Sequence, residues 1–309
     1  MRRLLRDGHA VHLAVRPAHR RWRLEGILGD VALHTVDLLD APALGRLVAS
    51  LRPDWVFHLA AHGGYSWQNE KDEIVRTNVL AAACLVRACT DAGIGALVSA
   101  GSSSEYGYKD HAPSEDDVLE PNSDYAVAKA FASQLLRMAA RRDGLPAITL
   151  RLYSVYGPWE EPARFLPTLI SHASRGELPP LVDPSTARDF VHVDDVCEAF
   201  VRAASFAGSR PGAIFNTGTG VQTTIRDAVE VARRVFGLEV EPNWGTMPRR
   251  AWDTRTWVAD NRRIREALGW EPTILFEDGF RQMAAWTGER DNAGRPAPGR
   301  PIGFSSRPE

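Results

Sequence analysis

Short apolar segments alternate with helix-forming ones through the first half of this chain, and this alternation constrains the fold more than any other feature. The segment 55–60 is a nearly continuous apolar run, which is typical of a strand covered on both faces. We predict strands at 9–15, 31–37, 55–60, 96–100 and 147–152, and helices at 41–51, 77–92 and 125–142. This order predicts an α/β fold with a doubly wound parallel sheet.

Polar residues follow several of the predicted strands at the point where each strand ends. They are Asp37, residues 58–62, the serine run Ser102, Ser103 and Ser104, and residues 153–157. Open parallel sheets bind their ligands at the carboxyl ends of the strands. We therefore expect a ligand site where these segments meet.

Tyr125 and Lys129 lie four residues apart in a segment that continues with Phe131, Leu135 and Met138, an apolar stripe at helical spacing. On one helix the phenol and the ammonium point the same way. A free phenol titrates near pH ~10, and a nearby cation favours the phenolate and lowers that pKa. With a serine hydroxyl opposite, the pair could exchange a proton with an alcohol during hydride transfer. The bare pattern also fits two ordinary surface residues of a helix.

The composition argues against several classes of protein. The chain has 309 residues, of which 44% are hydrophobic, and its net charge of −2 argues against a nucleic-acid partner. No run approaches about 18 apolar residues, so we expect no membrane span. Residues 1–8 lack the apolar core of a signal peptide. Cys84, Cys89 and Cys197 show no metal-ligand spacing, so we predict reduced, buried thiols, no metal site and a cytoplasmic protein.

Several segments form an ordered set that resembles a known family. In chain order the set comprises His58-Leu59-Ala60-Ala61, Asn78, Ser102-Ser103-Ser104-Glu105-Tyr106-Gly107, Tyr125-x-x-x-Lys129 and Arg151-x-x-Ser154-Val155-Tyr156-Gly157-Pro158. This combination resembles the extended short-chain dehydrogenase/reductases, which are NAD(P)-dependent nucleotide-sugar epimerases, dehydratases and ketoreductases. The resemblance extends to about Trp286.

The resemblance also implies how the chain is divided. It implies a Rossmann domain over residues 1–157, to which residues from about 188 to 220 partly return, and a nucleotide-sugar-binding lobe over 158–287. Residues 288–309 are rich in Gly, Pro, Arg and Ser, so we predict a disordered tail there. Family dimers pack the helices that carry Asn78 and Tyr125 as a four-helix bundle, which implies a homodimer.

One departure from the family concerns the start of the chain. The family opens with a strand and a Gly-x-x-Gly-x-x-Gly turn, whose backbone N–H groups hold the cofactor pyrophosphate at a helix N-terminus. This sequence has no such turn, and Met1 matches the middle of the helix that should follow it. We expect a late start or a truncation that removes the first, central strand. If the chain is whole, the alternative is a non-catalytic binding remnant.

The resemblance implies the residues that contact NAD(P). They are Leu59, Ala60, Ala61, Asn78, Ser102, Tyr125, Lys129 and Tyr153, with Asp37 and Leu38 at the adenine. Arg16 ends the strand where an acidic residue would accept from the ribose 2′-OH of NAD, and an arginine there favours the 2′-phosphate of NADP. The alternatives are a solvated basic turn at Arg16 and a capping role for Asp37.

The residues of the serine run should determine which reaction the protein catalyses. The resemblance implies that Tyr125 is the acid/base, that Lys129 is its electrostatic and ribose partner, and that Ser102 or Ser103 orients the substrate. Family 4,6-dehydratases carry acids directly after this hydroxyl, where an ungapped count places Ser103 and Ser104. We therefore favour hydride transfer at C4, by a 4-epimerase or a 4-ketoreductase. A one-residue deletion would instead supply Glu105 to a dehydratase; otherwise Glu105 binds neighbouring backbone N–H groups.

The second half of the chain is implied to bind the nucleoside-diphosphate sugar. Guanidinium groups can pair with phosphate oxygens at two points, and Arg188 and Arg250 match the family positions near the nucleotide and diphosphate. The substrate-binding residues implied are Ser104, Glu105, Arg164, Arg188, Arg250 and Asp253. A basic surface turn is the alternative at residues 249–253.

Overall fold

The structure, a computed structural model, describes residues 1–247 and 254–294. Its strands are β1 (Val11–Val15), β2 (Val31–Thr35), β3 (Trp55–His58), β4 (Ala96–Ser102), β5 (Ala147–Leu152), β6 (Ser154–Tyr156), β7 (Ala187–Arg188), β8 (Phe190–His192), β9 (Ala213–Thr217) and β10 (Thr223–Thr224). Its α-helices are α1 (Arg2–Arg6), α2 (Ala41–Leu51), α3 (Lys71–Val75), α4 (Ala81–Ala92), α5 (Asp124–Asp143), α6 (Phe165–Ala173), α7 (Val193–Phe206), α8 (Ile225–Phe236), α9 (Arg262–Leu268) and α10 (Phe276–Asn292). A π-helical turn (Arg76–Leu80) joins α3 to α4, and a 3₁₀ turn (Ser103–Tyr106) follows β4.

The main sheet has four parallel strands in the order β3-β4-β5-β9. β4 lies between two neighbours, and its register pairs Leu97 with Ala147 and Ser102 with Leu152. β1 and β2 form a separate parallel pair. Among the described residues, no ladder of hydrogen bonds joins that pair to the four-stranded sheet. The predicted parallel sheet is thus confirmed, and it is divided between β1 and β3.

Helices cover both faces of the four-stranded sheet. Successive side chains of a strand point to opposite faces, so Leu97 packs under α2, α4 and α5 whereas Val98 packs under α7 and α9. Trp270 is fully buried on the α7 side. Burying one large aliphatic side chain contributes about 1.5–3 kcal/mol, so these two layers supply most of the cohesion that holds the sheet. The Rossmann-type doubly wound arrangement is confirmed.

A third apolar cluster lies in the second half of the chain. Helices α6, α8 and α10 pack there against the parallel pair β6–β8, around Leu169, Val229 and Phe280. The helix α8 begins at a capping box, in which Thr224 and Asp227 satisfy each other's backbone N–H groups. This cluster occupies the segment assigned to the substrate lobe, and the lobe boundaries stay a prediction.

The predicted elements match the observed ones closely, with two corrections. The helices at 41–51 and the strand at 147–152 agree at both ends, whereas the helix predicted from residue 77 already begins in α3 at residue 71. The tail predicted from residue 288 is wrong at its start, because α10 continues to Asn292; residues 295–309 lie outside the described residues. None of the described helices is both long and apolar enough to span a membrane.

Asp195 joins the start of α7 to the segment that follows α9. Its carboxylate is buried and accepts hydrogen bonds from the backbone N–H groups of Thr273 and Ile274, both at 3.1 Å, and from the Thr273 hydroxyl at 2.8 Å. The indole of Trp270 donates to the backbone oxygen of Asp195 at 2.8 Å. The neighbouring Asp194 side chain is 60% exposed.

We predict that Asp195→Ala lowers the free energy of unfolding by about 3 kcal/mol, because it leaves buried backbone donors without an acceptor. The matched change Asp194→Ala removes only an exposed charge in the first turn of α7, which is worth about 0.3–1 kcal/mol. Urea unfolding followed by tryptophan fluorescence measures both variants. Equal transition midpoints for the two variants would show that the Asp195 contacts do not stabilise the fold.

Candidate active site

The candidate site lies where the carboxyl end of β4 meets the first turn of α5. Ser102 is the last residue of β4, and the chain then turns sharply through Ser103–Tyr106. Ser123 precedes α5, and its side chain accepts a hydrogen bond from the Ala126 N–H at 3.2 Å. This cap begins the helix so that Tyr125 lies in its first turn, beside the strand ends where parallel sheets bind ligands.

The Tyr125 phenol lies between the serine run and the loop after β3. The Ser102 side chain lies close enough to the Tyr125 phenol to lower its pKa, and the Ser102 and Ser104 hydroxyl oxygens are 2.7 Å apart. On the other side, a Cβ at Gly64 would lie 3.8 Å from the Tyr125 hydroxyl oxygen. Gly63 has φ +90° and a Cβ there would meet Ile74 at 2.8 Å, so this close approach requires glycine.

Lys129 lies one helical turn after Tyr125, on the same side of α5. Its ammonium is 5.9 Å from the centroid of the Tyr125 ring and donates a hydrogen bond to the backbone oxygen of Ala100 at 2.8 Å. Burial lowers the pKa of Lys129 to about 8, although the Glu105 charge opposes this. The ammonium is therefore held against the end of β4 rather than against the phenol oxygen.

The pKa of Tyr125 is raised to about 12, because burial disfavours the phenolate. The hydrogen bond from Ser102 and the charge of Arg164 lower this pKa, whereas the Glu105 charge raises it. The expectation that Lys129 would lower the pKa of this phenol below its ordinary value is thus wrong for this structure. Desolvation outweighs the nearby cations, and the phenol is protonated at neutral pH.

Glu105 lies beneath the serine run instead of facing a substrate. Its side chain is fully buried, and its Oε1 accepts from the Ser102 N–H and from the Ser133 hydroxyl, each at 2.9 Å. Its Oε2 accepts from Arg151 Nε at 2.8 Å. The expectation that Glu105 binds substrate, or serves a dehydratase as its acid, is corrected, since both oxygens are engaged inside the protein. The alternative, a carboxylate that binds loop N–H groups, matches these contacts.

The two candidate serines occupy different environments. Ser103 is buried, whereas Ser102 and Ser104 are partly exposed and share a hydrogen bond. Because Ser103 is buried and Ser102 is the serine that lowers the pKa of Tyr125, Ser102 rather than Ser103 is the hydroxyl beside the phenol.

The residues expected to hold the cofactor lie at the ends of β1, β2, β3 and β5. Asn78 is buried and holds the loop after β3 through both the N–H and the C=O of His62, at 3.1 and 2.6 Å. Leu59 is 61% exposed, and Ala60 and Ala61 follow it at the surface, so they offer an apolar edge to a flat ring. The Tyr153 hydroxyl is buried and has no hydrogen-bond partner among the residues that the structure describes.

The residues expected at the adenosine end lie at the surface. Arg16 is 73% exposed, and its guanidinium is 4.0 Å from a Glu73 oxygen. Asp37 accepts a hydrogen bond from the Leu39 N–H at 2.9 Å. This contact matches the capping role that is the alternative to adenine binding. Leu38 packs partly into the core under α2. The chain's residues therefore fit the nicotinamide-ribose half of a dinucleotide better than the adenosine half.

Two of the expected substrate arginines are described. The Arg164 guanidinium is paired with Glu160 at 2.7 Å and lies 6.0 Å from the centroid of the Tyr65 ring, in the loop that covers Tyr125. Arg188 donates to the backbone oxygen of Ala187 and lies 5.7 Å from the centroid of the Trp257 ring. Arg250 and Asp253 lie outside the described residues.

Sequence reasoning missed the partner of Arg151 inside the sheet. Arg151 is 1% exposed, and its Nη1 also donates to the Tyr106 hydroxyl at 2.8 Å. The signal was present, because the strand 147–152 is otherwise apolar and a buried arginine needs a buried carboxylate. The chain could not reveal which carboxylate, since Glu105 lies 46 positions away.

Comparison with known proteins places these observations in context. The model of the NAD dependent epimerase/dehydratase family matches residues 1–218. A UDP-glucose 4-epimerase of Mycolicibacterium smegmatis is 33% identical over 291 residues, which cover 90% of both chains. A dTDP-glucose 4,6-dehydratase of Streptomyces griseus is 30% identical and covers 90% of this chain and 81% of its own. The structure of MoeE5 in complex with UDP-glucose and NAD superposes with a TM-score of 0.82 at 33% identity, covering 93% of each chain.

His58 gives the site region a pH-dependent stability. It ends β3 and is 6% exposed, and burial together with the Lys129 charge lowers its pKa to about 4. The folded state therefore favours neutral His58, and this contribution is complete above the ordinary pKa of 6.5 and is lost as the pH falls toward 4.

We predict that between pH 7 and pH 4 the wild type loses about 3 kcal/mol more unfolding free energy than His58→Gln does. The measurement is urea unfolding at a series of pH values. The control His12→Gln changes an exposed imidazole and should follow the wild type. A His58→Gln curve parallel to that of the wild type would contradict this assignment.

Proposed function

Because this chain belongs to the NAD-dependent epimerase/dehydratase family, we propose that it transfers hydride at C4 of a nucleoside-diphosphate sugar, with Tyr125 as the acid/base. The observation that carries the proposal is the contact between the Tyr125 phenol and Ser102, one helical turn from Lys129 and at the strand ends. Relatives that act on UDP-glucose and dTDP-glucose support the substrate class.

When bound, a nicotinamide dinucleotide would supply the hydride chemistry of this reaction. Tyr125 takes the proton of the C4 hydroxyl during oxidation and returns a proton to the C4 oxygen during reduction. Ser102 donates a hydrogen bond to the same oxygen and orients it. Lys129 holds the end of β4 through Ala100 and is placed to meet the ribose.

Tyr125 is placed to donate a proton. A phenol with a pKa near 12 is protonated at neutral pH, and that form donates a proton to a ketone. A 4-ketoreductase uses this step directly, and an epimerase uses it in the reductive half of its reaction. A 4,6-dehydratase is the less supported candidate despite the 30% identical relative, because Glu105 is engaged by Arg151 and Ser102.

The residues proposed to hold the cofactor are Leu59, Ala60, Ala61, Asn78, Tyr153, Asp37 and Leu38, together with Ser102, Tyr125 and Lys129. The MoeE5 structure contains NAD. We propose that the exposed guanidinium of Arg16 favours NADP here, because it can pair with a 2′-phosphate. The proposed substrate contacts are Arg164, Arg188 and Ser104, with Arg250 and Asp253.

The free cysteines fit a reducing compartment, so we propose that the protein acts in the cytoplasm.

We predict that Tyr125→Phe lowers kcat by about 10²–10⁴-fold, because it removes the proton donor, while cofactor binding is retained. The assay follows NADH and NADPH absorbance with 4-keto sugars, and chromatography of the products with a panel of nucleotide sugars, because an epimerase recycles its cofactor. Tyr108→Phe, which changes an exposed phenol, is the control. Unchanged turnover in Tyr125→Phe would refute the role. A folded wild-type protein that binds neither cofactor would favour the alternative, a non-catalytic binding protein.

We also propose that the chain forms a homodimer through α4 and α5. Exposed apolar side chains lie along α5 and at the start of the neighbouring helical segment: Val75, Leu80, Val127, Phe131 and Met138. These exposed apolar side chains lie on helical segments that contact one another, since α5 packs beside α3 and the π-helical turn Arg76–Leu80. An apolar surface of this kind on a soluble chain marks an interaction site.

We predict that Phe131→Glu raises the dimer dissociation constant at least about tenfold, because it buries an unpaired charge at the interface. Sedimentation equilibrium measures the association state. Val118→Glu changes an exposed apolar side chain of a loop and should leave the dimer intact. A wild-type protein that is monomeric at micromolar concentration would overturn the proposal.

A further inference from the structure

We propose that Glu105 is a positioning residue for the reaction at Tyr125, because its buried carboxylate fixes Ser102 and contributes the negative charge that Tyr125 and Lys129 experience. This inference rests on the proposed function and deepens it. Glu105 touches neither substrate nor cofactor, and it acts through the backbone of Ser102 and through its charge.

Three hydrogen bonds hold the Glu105 side chain rigidly. Arg151 Nε, the Ser133 hydroxyl and the Ser102 N–H each donate to it at 2.8 to 2.9 Å, from β5, from α5 and from the end of β4. Three separate elements thus hold one carboxylate. A Cβ at Gly101 would lie 2.8 Å from Glu105 Oε1, so the strand passes as close to the carboxylate as a glycine allows.

This carboxylate holds the residue that lies beside the phenol. The Ser102 N–H donates to Glu105, and the Ser102 hydroxyl shares a hydrogen bond with Ser104 and lowers the pKa of Tyr125. Two residues before Ser102, the backbone oxygen of Ala100 accepts a hydrogen bond from the Lys129 ammonium. Glu105 and Lys129 therefore hold the same three-residue strand end through its backbone. If Glu105 released it, the Ser102 hydroxyl would lose its fixed distance to Tyr125.

Charge also links Glu105 to the site. Besides burial, the groups that shift the pKa of Tyr125 are Ser102, Glu105, Arg164 and Tyr65, and among them the Glu105 charge raises this pKa while that of Arg164 lowers it. The Glu105 charge also raises the pKa of Lys129, against burial. Loss of the negative charge at Glu105 should therefore lower both pKa values. A purely structural carboxylate would change neither.

The chain contains a matched control. Glu115 is also buried, also accepts a backbone N–H, that of Asn216 at 2.7 Å, and is also paired with an arginine, Arg263 at 3.3 Å. It contacts neither the serine run nor α5 in these interactions. Glu105→Gln and Glu115→Gln therefore remove comparable buried charges, and only the first should shift the pKa values of Tyr125 and Lys129.

The decisive measurement needs no substrate. The sequence has three lysines, Lys71, Lys109 and Lys129, so ¹³C-labelled lysine gives three assignable signals once Lys71→Arg and Lys109→Arg are compared. We expect the Lys129 titration midpoint, near pH 8 in the wild type, to fall by about one pH unit in Glu105→Gln and to stay unchanged in Glu115→Gln. An unchanged midpoint in folded Glu105→Gln overturns the charge role even if no sugar nucleotide is ever turned over.

The second measurement is the steady-state kinetics of the variants. Displacement of Ser102 should lower kcat about 10- to 100-fold in Glu105→Gln with KM within about twofold of the wild type, because orientation and not binding is lost. Glu105→Gln activity equal to that of Glu115→Gln overturns the positioning role. A wild type without turnover, together with the shifted Lys129 midpoint, refutes the proposed function and leaves the charge role standing.

A milder variant covers the case in which Glu105→Gln does not fold. Ser133→Ala removes one hydrogen bond to Glu105 Oε1 inside a helix that tolerates alanine, and it keeps the carboxylate and Arg151. We expect kcat to fall severalfold at unchanged KM and the Lys129 midpoint to stay within about half a pH unit of the wild type. Unchanged kcat in folded Ser133→Ala contradicts the proposal.

Discussion

Arg151 places a guanidinium inside the parallel sheet, and the geometry of the candidate site depends on how that charge is neutralised. A buried cation that loses its partner destabilises a protein by several kcal/mol, so a carboxylate must reach it. Glu105 reaches it because the chain turns back directly after β4, in the 3₁₀ turn Ser103–Tyr106. The same turn leaves Ser102 at the strand end, facing Tyr125. Neutralising one buried charge therefore places the hydroxyl of the site.

Burial then sets the protonation states of the two groups that give the site its chemical character. It raises the pKa of Tyr125 to about 12 and lowers that of Lys129 to about 8, so both groups are driven toward their neutral forms. The charges of Glu105 and Arg164 modify these shifts without reversing them. The Tyr125 phenol is therefore in its protonated form at neutral pH. The Lys129 ammonium is hydrogen-bonded to the Ala100 carbonyl and fixes the backbone beside the phenol.

The fold could be predicted from the sequence because its signals are local. Apolar runs such as 55–60 and the stripe that follows Tyr125 identify strands and helices without knowledge of their neighbours. The spacing of Tyr125 and Lys129 likewise placed both on one side of α5. The direction of the Tyr125 pKa could not be predicted, because desolvation depends on the loop at Gly63 and Gly64, which lies sixty positions earlier in the chain.

The partnership of Glu105 shows why the reaction class depends on the loop rather than on the fold. Relatives of about 30% identity include a 4-epimerase and a 4,6-dehydratase, so the shared sheet and helices accommodate both reactions. Elimination of water needs a carboxyl group that faces the sugar, in addition to the phenol. In this chain the acid of the serine run is committed to Arg151 and to the Ser102 N–H, and Ser103 and Ser104 carry only hydroxyl groups. The contacts of this carboxylate with Arg151 and Ser102 therefore support the proposal of hydride transfer at a single carbon.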